Sequence, residues 1–205
     1  MAKRKRRQRY RGPDLTTHVE LEPGDNFEIT LGEINDAGDT VTEIQGAPVV
    51  ISGGLPGEVV IAEVQKKFPE RIAARVAEVI EPHAERVEPA CQYVSSCSGC
   101  QWQHVSYRAQ LEFKQALVQR ELDKYESLAG AEVDPTVESA KQLGYRNHAR
   151  FTIGKYEYAG QVGYKNAVTR RFVRVDKCLL MNDQINETLG LIQSKMDGQT
   201  QISVR

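Results

Sequence analysis

No stretch of this sequence approaches the roughly 18 consecutive apolar residues that a membrane-spanning helix needs. The N-terminus is a basic run with no apolar segment behind it, which is not how a secretory signal peptide is built. A membrane span and a signal are therefore not expected, and the expected location is the cytoplasm. Cysteine is scarce as well, with four in 205 residues. Where thiols are kept reduced, four cysteines suit metal ligation or redox chemistry better than disulfides, although four can pair in three ways. Compositional extremes are missing too. With 40% hydrophobic and 27% charged residues, the chain is neither wholly disordered nor collagen-like or mucin-like, and its length suits one large domain or two to three small ones.

What is present is charge that cancels in the sum and separates along the chain. The net charge is −1, from 27 basic and 28 acidic residues. Seven of the cations (Lys3, Arg4, Lys5, Arg6, Arg7, Arg9 and Arg11) fall within the first 11 residues, which hold no acid. A second island, Lys141 to Cys178, has nine basic residues against Glu157 and Asp176. The body between them is acidic. Two basic islands on an acidic body point to a directed polyanion contact, with nucleic acid the default partner; the plainer reading of the first island is a solvated, disordered tail.

Residues 18–82 carry five short β-rich runs, at 27–31, 40–44, 48–51, 58–64 and 71–80. Turn clusters such as Asn35-Asp36-Ala37-Gly38-Asp39 and Ser52-Gly53-Gly54-Leu55-Pro56-Gly57 separate them. Five strands with this punctuation fit a small barrel of the oligonucleotide-binding type, while the alanines of 71–80 serve a helix as well as a strand, so period alone leaves both open there. From Ser106 to about Leu128 there is neither proline nor glycine, and Tyr107, Leu111, Val118, Leu122 and Tyr125 recur at helical spacing, so an amphipathic helix is expected. Residues 144–178 alternate aromatic, β-branched and basic side chains around Gly154, Gly160 and Gly163, the pattern of a twisted antiparallel sheet. A helix at about 182–195 and a strand at 200–204 follow. The expected class is α+β.

The cysteines form Cys91-x5-Cys97-x2-Cys100, with Cys178 far downstream. Three clustered thiols and one remote one form a metal-site arrangement. Gly99 permits a tight turn between ligands, and the fourth thiol ties the second basic island to the loop. Four thiolates suit zinc or an iron-sulfur cluster, and free or redox thiols stay open. The spacing leans towards iron, because structural zinc sites favour two close pairs rather than a triplet and a singleton.

At these residues the chain resembles the N-terminal part of the iron-sulfur-containing RNA uracil-C5 methyltransferases, which modify ribosomal or transfer RNA. The segment with Gly53-Gly54-Leu55-Pro56-Gly57-Glu58 and Val79-Ile80-Glu81-Pro82 looks like their RNA-binding TRAM barrel. Cys97-Ser98-Gly99-Cys100-Gln101-Trp102-Gln103-His104, then Tyr107, Gln110, Leu111 and Lys114, is similar to their cysteine and Gln-His signature. Tyr145-Arg146-Asn147, Arg150-Phe151, Gly163-Tyr164 and Cys178 match the central region in order. The resemblance covers about residues 18–190. It implies a 4Fe-4S cluster on Cys91, Cys97, Cys100 and Cys178, an RNA partner, a monomer, and S-adenosylmethionine as methyl donor in the full-length family protein. It also implies a layout of basic disordered tail (1–17), TRAM-like barrel (18–82), central iron-sulfur and RNA-binding domain (83–181) and the start of a truncated continuation (182–205).

The departures from the family bear on activity. Its methyl donor binds a glycine-rich loop of a Rossmann-like C-terminal domain that also carries the nucleophilic cysteine. No Gly-x-Gly-x-x-Gly occurs in this chain and no cysteine follows Cys178, so that domain is expected to be absent, no catalytic residue is assigned, and the chain alone is expected to be inactive. The residues expected at RNA are Arg146, Asn147, Arg150, His104, Lys165, Arg170 and Arg171. Exposed arginines are as often plain surface charge, and His104 has a second reading in capping the helix entry or packing beside Trp102. The rival functions are a freestanding TRAM-type RNA-binding module with a structural metal site, and a redox sensor whose cluster controls RNA binding.

Overall fold

The runs of β-branched residues become strands because alternation puts every second side chain on one face, where a neighbouring strand can bury it. In the computed structural model, which describes residues 10–128 and 130–205, the result is an α+β chain with two sheets and two α-helices. It divides into two units between His83 and Ala84. Residues 1–9 lie outside the described residues, and so does most of the expected basic tail.

The first unit holds β1 (Asn26–Thr30), β2 (Thr40–Ile44), β3 (Ala47–Ser52), β4 (Val59–Phe68) and β5 (Arg71–Glu81), in the sheet order β1-β4-β5-β3-β2. All neighbours are antiparallel except β3 and β5, which are parallel. An isolated bridge between Ile34 and Thr40 links the chain leaving β1 to the start of β2. Three register shifts interrupt the pairing of β4 with β5, and such irregularities bend a strand and increase its local twist. Ala47, Val49 and Ile51 of β3 and Val60, Ala62 and Val64 of β4 alternate into the core with Val19, Leu31 and Ile72. Gly54 lies against that core, where a Cβ would come within 2.0 Å of the Leu31 side chain. The buried Glu58 carboxylate is satisfied by backbone: it accepts from the Leu55 N–H at 2.9 Å and the His83 N–H at 3.0 Å. Thr16 is buried and its hydroxyl donates to the Phe68 carbonyl at 3.0 Å, so packed chain includes residues that the tail was expected to take in.

In the second unit, β6 (Ala149–Ile153), β7 (Val162–Lys165), β8 (Phe172–Arg174) and β9 (Gln201–Val204) form an antiparallel sheet in the order β8-β7-β6-β9. One face of it packs Phe151, Ile153 and Val162 against Ile185 and Leu189 of helix α2 (Asp183–Ile192). Those two side chains are four residues apart, one above the other on the helix. Residues 182–205 thus contribute a helix and a strand to this unit.

Helix α1 (Tyr107–Leu122) starts where expected, with the Ser106 hydroxyl accepting from the Ala109 N–H at 3.2 Å. It departs from expectation in its length and in its buried face. It ends at Leu122, and Glu126–Leu128 form a separate 3-10 turn. Its one buried residue is Ala109, while Val118 is 50% and Tyr125 60% exposed. The sequence is rich in Gln, Glu, Lys and Arg, strong helix formers that need no apolar stripe. Glutamines do the docking: Gln119 donates to the Ala131 carbonyl at 2.8 Å and accepts from the Val133 N–H at 3.0 Å, while Gln115 donates to the Val133 carbonyl at 2.7 Å. Among the described residues no helix is long and apolar enough to cross a membrane.

Candidate metal centre and nucleic-acid interface

Residues 91–105 form no helix or strand, so specific hydrogen bonds must hold the loop. The Val94 N–H donates to the Cys91 carbonyl at 3.2 Å, and the Cys97 N–H to the Tyr93 carbonyl at 2.7 Å. Gln103 straps the two ends: its Oε1 accepts from the Cys91 N–H at 3.2 Å and its Nε2 donates to the Cys100 Sγ at 3.3 Å. The turn between β7 and β8 pins the middle, where Asn166 donates to the Ser96 carbonyl at 2.9 Å and the Ala167 N–H donates to the Ser98 hydroxyl at 2.7 Å. Cys178 is fixed from the other side by Asn186 of α2. The Asn186 Oδ1 accepts from the Cys178 N–H at 2.9 Å, and its Nδ2 donates to the Cys178 and Met181 carbonyls, each at 3.1 Å.

These anchors bring all four cysteines, half-buried, to the lining of one cavity of about 80 Å³. Arg146, Lys177 and Tyr164 line it too. Burial pushes the Cys97 and Cys100 thiols above their ordinary values, the neighbouring cysteines push the same way, and the Gly99 N–H and the Gln103 amide oppose them. Among the described residues no three His, Cys, Asp or Glu side chains converge as ligands of a single ion. The Tyr164 hydroxyl is buried at this cavity and has no partner of hydrogen-bonding geometry. Burial and the facing Cys178 and Cys97 thiols push its phenol well above the ordinary tyrosine value.

Beside this cavity lies a larger groove of about 500 Å³, lined by Trp102, Tyr107, Lys114, Gln142 and Tyr145. The two share Gly99, Cys100, Gln103, Arg146 and Leu180 as a common wall. Trp102 is braced edge-on by Phe113, with ring centroids 5.8 Å apart. Tyr145 is half exposed, with the Arg146 guanidinium 5.9 Å from its ring centre.

The residues expected at RNA are distributed unevenly. Arg146 stands in the wall between the two cavities, and Asn147 beside it is exposed. Arg150 and Lys165 are exposed on β6 and β7; the register places them on the same sheet face, opposite to Phe151 and Tyr164. Arg170 and Arg171 are exposed in the turn that touches the cysteine loop, where Arg170 takes a φ of 63°. His104 is 4% exposed, and its carbonyl accepts from the Val87 N–H at 2.9 Å. Of its two readings, burial supports packing. Asn186 and the groove residue Gln142 were not singled out beforehand; polar side chains whose partners lie across the fold leave no periodic signal.

No protein-family model matches the chain. An uncharacterized RNA methyltransferase of Halalkalibacterium halodurans is 31% identical over 173 residues, 84% of this chain and 38% of its own length. Another, from Caldanaerobacter subterraneus, is 28% identical over 170 residues, 83% of this chain and 37% of its own length. The chain is similar to RNA methyltransferases. It spans less than two fifths of the length of these relatives. Among solved structures, the tRNA (uracil-54, C5)-methyltransferase of Pyrococcus abyssi, in complex with S-adenosyl-L-homocysteine, superposes with a TM-score of 0.57. It is 23% identical, over 79% of this chain and 34% of that one. At that identity the likeness concerns the fold.

Proposed function

We propose that this chain is the RNA-engaging, iron-sulfur-bearing part of an S-adenosylmethionine-dependent RNA uracil-C5 methyltransferase, working as a monomer in the cytoplasm on ribosomal or transfer RNA. The observation that carries the reading is that cysteines 91, 97, 100 and 178 line one cavity whose wall is also the wall of a groove with aromatic side chains, two cations (Lys114 and Arg146) and one acid, Glu88. The first unit is read as a TRAM-type oligonucleotide-binding barrel, supported by its strand order and its one parallel pair. The second is read as the central domain. The methyl donor and nucleophile are assigned to a part of such proteins other than these residues, since neither a Gly-x-Gly-x-x-Gly loop nor a cysteine after Cys178 is among them.

The donor set fits a 4Fe-4S cluster. Four thiols and no imidazole or carboxylate line the cavity, which is the donor set of a thiolate-held cluster. When bound, such a cluster would lock the cysteine loop to the segment that starts α2. Arg146 and Lys177 offset the negative charge that four thiolates bring. In the groove, Trp102, Tyr107 and Tyr145 offer flat faces for an unpaired base, and Lys114 and Arg146 offer charge for its phosphates. Outside it, Arg150, Lys165, Arg170 and Arg171 extend the basic surface.

The test is titration of single-stranded RNA onto the whole chain at several salt concentrations. The expected result is salt-dependent binding that Tyr145→Ala weakens by about 1–3 kcal/mol, the worth of one stacked base. Binding to RNA that neither Tyr145→Ala nor Arg146→Ala changes would remove the groove from the interface. No binding at low salt would refute the reading.

A further inference from the structure

The hydroxyl of Tyr164 is the one buried side-chain polar atom that lacks a hydrogen-bond partner among those described. Its ring is fixed on both sides. Tyr164 pairs with Val173 across β7 and β8, and its ring packs on Phe151 with centroids 5.3 Å apart. The ring alone would satisfy that packing, and phenylalanine would provide it without burying an oxygen that nothing satisfies. The hydroxyl is therefore explained by the cavity it lines, with the Cys178 thiol facing it, and not by the packing of its ring. It opens into the cavity lined by Cys91, Cys97, Cys100 and Cys178, on the Cys178 side. One ligand in that cavity already has a side-chain donor, because Gln103 Nε2 lies 3.3 Å from the Cys100 Sγ.

Resting on the cluster reading above, we propose that Tyr164 is a positioning residue for the cluster, donating its O–H to the Cys178 sulfur or to an inorganic sulfide next to it. Gln103 and Tyr164 then form a pair of donors to two different ligands, Cys100 from within the loop and Cys178 from the sheet. Donors to cluster sulfurs stabilise the more negative, reduced state, so hydrogen bonding at sulfur is one of the means by which a protein sets the potential. The sheet thereby acts on the electronic state of the cluster as well as on its placement.

The experiment compares the whole chain, purified without oxygen, with Tyr164→Phe, with Tyr164 replaced by 3-fluorotyrosine, and with Tyr158→Phe as a control that loses a hydroxyl outside the cavity. Midpoint potential is read by spectroelectrochemical titration, and cluster loss by the rate at which a chelator captures iron. Tyr164→Phe is expected to shift the potential to a more negative value and to speed iron release several-fold. The fluorinated residue, a stronger donor of the same size, is expected to shift the potential the other way, and Tyr158→Phe to match the parent. Iron-loaded proteins that all share one potential and one release rate would overturn the inference and leave the cluster reading standing. A parent chain that binds no iron-sulfur cluster would overturn both. Should Tyr164→Phe fail to fold, the fluorinated protein decides: an unchanged potential there overturns the inference.

Discussion

Asn186 does more for the cysteine site than any residue named from spacing except the cysteines themselves, because its one amide satisfies the Cys178 N–H and several carbonyls at the start of α2. Asn186→Ala is expected to cost about 1–3 kcal/mol through the backbone groups left unsatisfied, read as a lower denaturation midpoint, and to weaken metal retention. Gly163 is constrained by backbone: a Cβ there would lie 2.0 Å from the Val173 carbonyl oxygen. Gly163→Ala should therefore destabilise by about 1–3 kcal/mol, as overpacking does. In the first unit, burial raises the Asp39 carboxyl above its ordinary value, with Arg71 opposing. The folded state thus holds that proton more tightly than the unfolded one. Its contribution is full below the unfolded value and is lost as the pH rises through the folded one. Asp39→Asn should raise the melting temperature at pH 7, with a gain that fades towards pH 3; an equal gain at both would show that charge is not the cause. At this scale the triplet Cys91, Cys97 and Cys100 was legible from local spacing, whereas Cys178, far downstream, was tied to it in the sequence only by the count of four and the family resemblance. Asn186 and the unmet Tyr164 hydroxyl were not legible, because their meaning lies in partners that only the fold supplies.

Strands were the most legible elements. Runs such as Val59-Val60-Ile61-Ala62-Glu63-Val64 alternate and are β-branched, and each of the five expected runs in the first unit became a strand, as did the one at the end of the chain. Helix α1 was legible in existence but not in its face. Its apolar residues sit at helical spacing, yet Val118 stays in solvent, Tyr125 lies exposed beyond the helix end, and glutamines make tertiary contacts. Amide pairing to a loop has no sequence period. The sheet of the second unit separates two roles by register: Phe151 and Tyr164 face the core and cysteines, whereas Arg150 and Lys165 face away. If that outer face follows RNA, replacing both by alanine should reduce the slope of log affinity against log salt by about 0.7 per lost contact. A double variant with the parent's slope would make the outer face ordinary surface.

For the molecule as a whole, the division between His83 and Ala84 separates a unit built on a five-stranded sheet, with no cysteine, from a unit that carries all four. The likeness to RNA methyltransferases runs across both, over more than four fifths of the chain. Which RNA such a protein selects has no local signature in either unit, because phosphate and stacking contacts are tolerant of sequence. The central claim is that the second unit holds a polynuclear iron-sulfur group at the wall of its groove. Quantifying iron, acid-labile sulfide and zinc in the anaerobically purified chain tests it most directly. The account predicts about four irons and about four sulfides per chain, lost together in the Cys178→Ser variant. Stoichiometric zinc with no sulfide would contradict it.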